Sequence, residues 1–234
     1  MTITTWILIG EMVASIVVGT LAGFSIIYIF NRMPASWLCE YGEKPDPILA
    51  DPQVQRVKGW PWRWIYAAGF ICLLIRLVIV DYQLAVAALF ACWALLMIGL
   101  ADLKYMIIPD QFVIMLALSA MGFFPFHDSF KEIILGALVG GGVMMMVAVL
   151  GGAAYHKEVM GFGDVKLFAS LGFVLGLKGT VVVLVGASIT AGIVSAIGLA
   201  AGKYKKNDSK PLGPYISGWG ITYIFVIWPF ILHS

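Results

Sequence analysis

The chain has 234 residues, of which 61% are hydrophobic and 12% are charged. Soluble domains average about 25% charged residues, so this composition excludes a soluble globular enzyme, a disordered chain and a nucleic-acid-binding domain. The net charge of +2 is too small to indicate a polyanionic partner, and three cysteines are too few for a disulfide framework or two metal-binding CxxC pairs. The composition predicts an all-α polytopic membrane protein.

Eight apolar segments are candidates for membrane-spanning helices. A helix needs about 20 apolar residues to cross a hydrocarbon core of about 30 Å. The first segment is too long for the core of a signal peptide and no Lys or Arg precedes it, so we expect a retained span. The expected spans, in chain order, are 5–30, 64–80, 84–101, 111–126, 132–154, 164–178, 179–201 and 214–232. The segment 164–178 is short, about 22 Å at 1.5 Å per residue, and is expected either to span a thinned bilayer or to be re-entrant.

Residues 31–63 form a small polar segment with five prolines between the first two spans. We therefore expect a first transmembrane helix (1–30), this extramembrane segment (31–63) and a transmembrane core (64–234). The polar segment contains one cysteine, Cys39, and no metal site is expected there. Four acidic residues of the segment either attract a basic substrate or form an ordinary solvated face: Glu40, Glu43, Asp46 and Asp51.

Lys and Arg are distributed unevenly between the two sides of the predicted bundle. Twelve of the fifteen fall on the side that contains the polar segment. Because cytoplasmic loops carry an excess of Lys and Arg, we expect 31–63, 102–110, 155–164 and 202–213 to face the cytoplasm. Both termini are then expected to face outward.

Asp102 lies at the cytoplasmic end of a predicted span, after the apolar run 89–101. The negative end of the helix dipole disfavours a carboxylate there, and Lys104, two residues on, does not face Asp102 on a helix. An ionisable group at this position indicates a functional site. The alternative is an interfacial charge that marks the end of the span.

Asp164 begins the short apolar segment within MGFGDVKLF (160–168). Gly161 and Gly163 allow a sharp turn into the helix and a close approach by another chain. Asp164 alone could be only a helix cap. At the same membrane face as Asp102, however, it predicts aspartyl-protease chemistry, because two carboxylates that share a site do not both ionise easily. The ionised acid then activates water, the protonated acid polarises a carbonyl group, and no metal is needed.

Two charged residues near these acids have both structural and functional interpretations. Asp110 follows Pro109 at the start of a predicted helix, where we expect it to be the N-cap. Lys166 is expected either to extend towards the lipid headgroups or to contact a substrate carboxylate. The sequence contains no HExxH and no GxSxG motif, so zinc-protease and serine-hydrolase chemistry are not expected.

The order and spacing of these motifs resemble the bacterial type IV prepilin peptidases, which are membrane aspartyl proteases with a GxGD motif. The first acid lies in DLKYMIIPD (102–110), the second in KEVMGFGDVKLFASLGFVLG (157–176), and PLGP (211–214) precedes the last span. The resemblance implies that Asp102 and Asp164 are the catalytic pair. It also implies a group of residues that shape the site: Pro109, Asp110, Gly161, Gly163, Lys166, Gly213 and Pro214.

The resemblance further implies cleavage of a short leader from type IV prepilin or pseudopilin precursors at the cytoplasmic face of the bacterial inner membrane. The protein would contact membrane lipids and no nucleic acid, and proteolysis would need no cofactor. Many family members also methylate the new N-terminus with S-adenosylmethionine. Because the two CxxC pairs of many members are missing here, methyltransferase activity stays open.

Two other functions remain open at this stage. One is a GxGD protease that acts on another membrane substrate. The other is a transporter, which would place its acids near the bilayer midplane, whereas both acids here are expected at one edge. The sequence predicts no oligomeric state.

Overall fold

The computed structural model describes residues 3–39, 55–155, 160–202 and 210–232, and within these ranges the regular structure is helical, with no strand. The prediction of an all-α polytopic membrane protein is confirmed. The acidic residues of 40–54 lie outside the described residues. The helices are α1 (Ile3–Arg32), α2 (Trp62–Val78), α3 (Tyr82–Tyr105), α4 (Asp110–Ser119), α5 (Phe130–Tyr155), α6 (Phe162–Ala200), α7 (Gly213–Thr222) and α8 (Trp228–Leu232).

Five helices in the described ranges are long and apolar enough to cross a membrane: Leu8–Arg32, Tyr82–Tyr105, Phe130–Ala154, Phe162–Ala200 and Gly213–Ile231. The last of these is continuous because a π-helical turn, Tyr223–Ile227, joins α7 to α8. Helices α2 and α4 are shorter, with 17 and 10 residues. The expected spans 164–178 and 179–201 correspond to the two halves of α6, which covers 39 residues and is broken at Gly176. All eight expected segments are therefore helical, and the boundary expected between 178 and 179 lies close to the break at Gly176.

Helix α6 has one break, at Gly176. This residue has φ 65 and ψ −175, a conformation that favours glycine because it has no Cβ. Two polar side chains bind backbone carbonyl groups at the break. Thr180 Oγ1 donates to the oxygen of Gly176 at 2.6 Å, and His127 Nε2 lies 3.0 Å from the oxygen of Val174. The break separates a short first half of α6, which carries Asp164, from the longer second half.

The first half of α6 packs against α5 through backbone contact. A Cβ atom built on Gly172 would lie 2.3 Å from the carbonyl oxygen of Gly136. Small residues allow membrane helices to approach this closely. The contact fixes the position of the first half of α6, and therefore the position of Asp164, relative to α5.

Helix α3 lies inside the bundle, where it packs against α2, α4 and α7. Its N-terminus is capped by Asp81, whose Oδ1 accepts hydrogen bonds from the backbone N–H groups of Gln83 (2.7 Å) and Leu84 (3.1 Å). Its C-terminal turn carries Asp102 into the interior of the protein, where this residue is buried.

The described end of the polar segment 31–63 is bound to two of these helices. The side chain of Asn31 exchanges two hydrogen bonds with the backbone of Val57, at 3.0 and 2.7 Å. Arg56 is buried and donates to the carbonyl oxygen of Met33 at 2.6 Å, and Lys104 donates to the carbonyl oxygen of Arg56. The end of the segment therefore holds the C-terminus of α1 beside that of α3. The division into 1–30, 31–63 and 64–234 stays a prediction.

Candidate active site

Asp102 lies in the last turn of α3 and has an exposed fraction of only 5%. The helix ends four residues later at Met106, whose backbone is left-handed (φ 55) and whose N–H donates to the Asp102 carbonyl oxygen at 2.9 Å. The backbone N–H of Gly213 donates to Oδ2 of Asp102 at 2.7 Å. One carboxylate oxygen is thus held by the start of α7.

The PLGP motif explains this contact. A Cβ atom on Gly213 would lie 2.7 Å from Asp102 Oδ2 and 2.9 Å from Asp102 Cβ, so the backbone approaches the carboxylate only because residue 213 is glycine. Pro214 occupies the first turn of α7, where a proline is tolerated because its missing N–H needs no helical partner. Its Cα lies 3.7 Å from a Cβ built on Gly99, one turn before Asp102. Gly213 and Pro214 therefore pack the start of α7 onto the end of α3.

Asp164 lies in the first turn of α6, which begins after the N-cap residue Gly161. Its backbone N–H donates to the Gly161 carbonyl oxygen at 3.2 Å, and the positive end of the helix dipole favours a carboxylate there. Its Oδ1 atom is buried and has no hydrogen-bond partner among the described residues. Most buried polar atoms in proteins are paired. The unpaired oxygen therefore indicates a group that acts on a proton, a water molecule or a substrate.

Asp102 and Asp164 lie at the same end of the helix bundle. The two residues are 62 positions apart and lie at opposite ends of their helices, yet Ile108, six residues after Asp102, packs on Gly163, the neighbour of Asp164. One oxygen of Asp102 accepts a backbone hydrogen bond, whereas Oδ1 of Asp164 accepts none from the described part of the chain. Two acids in different surroundings can differ in protonation state, so that one is ionised while the other holds a proton. Their catalytic role stays a prediction.

Asp110 and Lys166 form an ion pair beside these acids. Lys166 Nζ lies 2.9 Å from Oδ1 and 3.0 Å from Oδ2 of Asp110, and 5.3 Å from the centre of the Phe162 ring. The expectation that Asp110 caps its helix was wrong. The N-cap is Pro109, and Asp110 is the first helical residue, with its carboxylate turned to Lys166 instead. The pair links the start of α4 to the first turn of α6.

The two glycines of the GFGD motif have different surroundings. A Cβ atom on Gly163 would lie 3.0 Å from Ile108 Cβ, so the chain that approaches Gly163 belongs to this protein itself. Gly161 is exposed, and a Cβ built there would have no atom within 4 Å. The open side of the motif is thus at Gly161.

Two residues of the site were not found from the sequence. Ile108 packs on Gly163, and Ser217 is 3% exposed with an Oγ atom that has no partner in the described part of the chain. Ser217 is four residues after Gly213, a spacing that places both on one side of a helix, and this spacing could have indicated it. Over the same described ranges, no three His, Cys, Asp or Glu side chains are grouped so that they could hold a metal ion.

Comparison with known proteins finds a family that is similar to part of this chain. Residues 89–196 match the model of the type IV leader peptidase family, a range that includes both acids. Three curated relatives carry the name prepilin leader peptidase/N-methyltransferase. They come from Xanthomonas campestris (33% identity over 143 residues, 58% of this chain and 49% of the relative), Aeromonas salmonicida (34%, 57% and 47%) and Bacillus subtilis (30% over 129 residues, 54% and 50%).

The resemblance inferred from the motifs is therefore confirmed over this part of the chain. The chain spans about half the length of the curated relatives it matches. Its Gly213 and Pro214 fall outside the range of the family match. No solved structure gives a significant match.

Proposed function

We propose that this protein is a membrane aspartyl endopeptidase that removes the leader from type IV prepilin or pseudopilin precursors. The observation that carries the proposal is the buried Oδ1 of Asp164, which has no hydrogen-bond partner among the described residues and lies at the same end of the bundle as the buried Asp102. The family match over 89–196 and the names of the relatives support the choice of substrate.

The two acids have different hydrogen-bond partners, and we assign them different roles in the reaction for this reason. An N–H donor stabilises a carboxylate in its charged form, so we assign Asp102, which accepts from Gly213, as the ionised acid. Asp164 then holds the proton. Asp102 takes a proton from water as the water oxygen attacks the scissile carbonyl carbon, and Asp164 gives its proton to the carbonyl oxygen. The tetrahedral intermediate collapses when its nitrogen receives a proton from the pair and the C–N bond breaks.

The position of the acids favours a protease over a transporter. Both lie in terminal turns of their helices, Asp102 at the end of α3 and Asp164 at the start of α6. Transport sites lie near the bilayer midplane, whereas a precursor with an apolar helix in the bilayer presents its leader at the membrane edge. The excess of Lys and Arg on this side supports a cytoplasmic location in the bacterial inner membrane. A related protease with another membrane substrate would use the same chemistry.

One apolar groove of the described residues does not suit S-adenosylmethionine. This groove has a volume of about 540 Å³ and lies between 181–190 and Trp219. Its lining side chains are apolar except for Thr190 and Trp219, whose hydroxyl and indole N–H groups bond to each other at 3.2 Å. No charged side chain lines this groove to bind the sulfonium or carboxylate of the cofactor, and methyltransferase activity stays a prediction.

The test is leader removal by the purified full chain, measured by mass spectrometry of a prepilin precursor in detergent or lipid. Asp102→Asn and Asp164→Asn should each abolish cleavage, because asparagine neither accepts nor supplies the proton. Asp81→Asn is the matched control. It makes the same change at the other end of α3, where asparagine also caps a helix, and should leave cleavage unchanged. Full activity in either active-site variant would overturn the assignment. The same spectra report methylation as the added mass of one methyl group.

A further inference from the structure

The last span is irregular at the end of the bundle away from the acids, where the π-helical turn Tyr223–Ile227 joins α7 to α8. In an α-helix, the carbonyl group of Phe225 would accept a hydrogen bond from the N–H of residue 229. Residue 229 is a buried proline, which has no N–H. Because a bilayer offers no donor to a carbonyl group, the protein itself must supply another donor at this position.

Arg76 supplies this donor from the last turn of α2. Its Nε donates to the carbonyl oxygen of Phe225 at 3.0 Å, across 149 positions of the chain. Its Cζ lies 5.7 Å from the centre of the Phe225 ring and 5.4 Å from the centre of the Phe230 ring. The contact with the carbonyl group uses one of the five N–H donors of arginine. The four N–H groups on the two Nη atoms need a further explanation.

The charge of Arg76 has no acidic partner in the described part of the chain. The side chain is partly buried, and no described carboxylate oxygen lies within 4 Å of its nitrogen atoms. Lys178, at the same end of the bundle, lies 3.7 Å from both Asp128 and Glu132. Asp81, five residues after Arg76, uses Oδ1 to cap α3. A partly buried charge at the end of a span needs an opposite charge, which for Arg76 must come from another molecule.

We propose that the two Nη groups of Arg76 bind the phosphate group of a membrane phospholipid. The planar guanidinium matches two oxygens of a phosphate, and the bond from Nε to Phe225 fixes its orientation. Arg76 lies two residues before the end of α2, at the level where lipid headgroups meet a span. The ring of Phe230, which is 66% exposed, gives the lipid an apolar surface beside the charge. The bound lipid would hold the irregular part of the last span against α2.

The test is a lipid titration of the purified full chain in a neutral detergent, with the melting temperature as the readout. Dioleoyl phosphatidylglycerol should raise the melting temperature, because a ligand that binds only the folded protein stabilises it. Dioleoylglycerol has the same acyl chains without the phosphate and should cause no rise. Inorganic phosphate at the same concentration should also cause none, because it has no acyl chains. A rise with either of these two compounds equal to that with the phospholipid would overturn the proposal.

The variant Arg76→Gln locates the site. The amide nitrogen of glutamine is as many bonds from Cα as Nε of arginine, so the variant keeps a donor for Phe225 and loses the charge and both Nη groups. The half-saturating concentration of phosphatidylglycerol should rise about tenfold or more. Lys131→Gln is the matched control, since it removes another, exposed charge at the same end of the bundle, and its half-saturating concentration should stay unchanged. Equal values for the two variants would contradict a site at Arg76.

A measurement on the unaltered protein keeps the proposal testable if Arg76→Gln does not fold. Phosphatidylglycerol with a photoreactive headgroup is added in the same detergent, and the labelled peptides are identified by mass spectrometry. Peptides that contain Arg76 or Phe230 should be labelled more strongly than peptides from the N-terminal half of α5, which contains Lys131 at the same end of the bundle. Equal labelling of these peptides would show that the lipid has no preferred position at Arg76.

Discussion

The backbone N–H of Gly213 donates to Oδ2 of Asp102 at 2.7 Å, across 111 positions of the chain. The contact joins the start of α7 to the last turn of α3. It orients one of the two acids of the proposed active site. It also explains why the PLGP motif belongs to the site although none of its side chains carries a charge.

We predict that Gly213→Ala lowers the rate of precursor cleavage. The new Cβ would lie 2.7 Å from Asp102 Oδ2, so the carboxylate must move away and the hydrogen bond is lost. A hydrogen bond to a charged group contributes about 1.5–3 kcal/mol, which corresponds to a fall in kcat/KM of about tenfold to a hundredfold. Steady-state kinetics with a precursor measure this.

Gly218→Ala is the control for this change. Gly218 lies in the same helix, and a Cβ built on it meets no atom within 4 Å. Its kcat/KM should stay within twofold of the unaltered protein, an estimate that assumes only the usual small effects of exposed substitutions. Equal losses in both variants would show that alanine in α7, and not the contact with Asp102, is responsible.

The sequence predicted the two acids and their common membrane face, because charges are rare in an apolar chain and their positions at span ends are easily recognised. The sequence could not predict the contacts that the acidic residues of the site make. The partner of Asp102 is a backbone group, and the partner of Asp110 is a lysine 56 residues away. The boundary expected between 178 and 179 lies close to the break at Gly176, but the sequence did not show that one glycine makes this break without a loop. Such contacts depend on packing between distant segments, which local pattern does not specify.

We predict that the Asp110–Lys166 pair positions the site without stabilising the protein strongly. Their side chains are 57% and 39% exposed, and exposed pairs contribute about 0.2–1 kcal/mol. Asp110→Asn or Lys166→Met should lower kcat/KM about twofold to fivefold and leave the melting temperature almost unchanged. Because the attraction is screened by salt, the loss should shrink as ionic strength rises.

Reversal of the pair distinguishes attraction from other roles. The double variant Asp110→Lys with Lys166→Asp restores opposite charges, so it should recover most of the activity lost in either single reversal. Lys178→Met is a control, since Lys178 is 71% exposed and lies near Asp128 and Glu132, away from the acids. No recovery in the double variant would indicate that one of the two charges contacts the substrate instead.

We predict that Gly172→Ala destabilises the protein through the α5–α6 contact. The added Cβ would lie 2.3 Å from the carbonyl oxygen of Gly136, which is rigid backbone, so the helices must separate. Overpacking of this kind costs about 1–3 kcal/mol. Gly142→Ala, in α5, is the control, because its Cβ would have no atom within 4 Å. Thermal unfolding in detergent should show a lower melting temperature for the first variant only. Equal values would mean that this glycine contact does not hold the helices together.

We predict, finally, that His127 makes stability depend on pH at the end of the bundle away from the acids. His127 Nε2 lies 3.0 Å from the carbonyl oxygen of Val174, so this nitrogen carries the hydrogen, and the ring packs against Trp228 with centres 5.1 Å apart. Burial lowers the pKa of His127 below its usual value, against the opposing effects of the Val174 carbonyl, Glu132 and Asp128.

The sign of the dependence follows from this shift. Between the lowered pKa and the usual histidine value, the unfolded chain binds more protons than the folded protein, so stability rises with pH in this window. The stability contributed by neutral His127 is complete above the usual histidine pKa and is lost as the pH falls through the lowered pKa. His127→Gln keeps an N–H donor for Val174 and does not titrate. Melting temperatures measured from about pH 5 to 7.5 should therefore rise more steeply for the unaltered protein than for His127→Gln, while cleavage rates at neutral pH stay equal. Parallel curves would show that His127 does not titrate in this window.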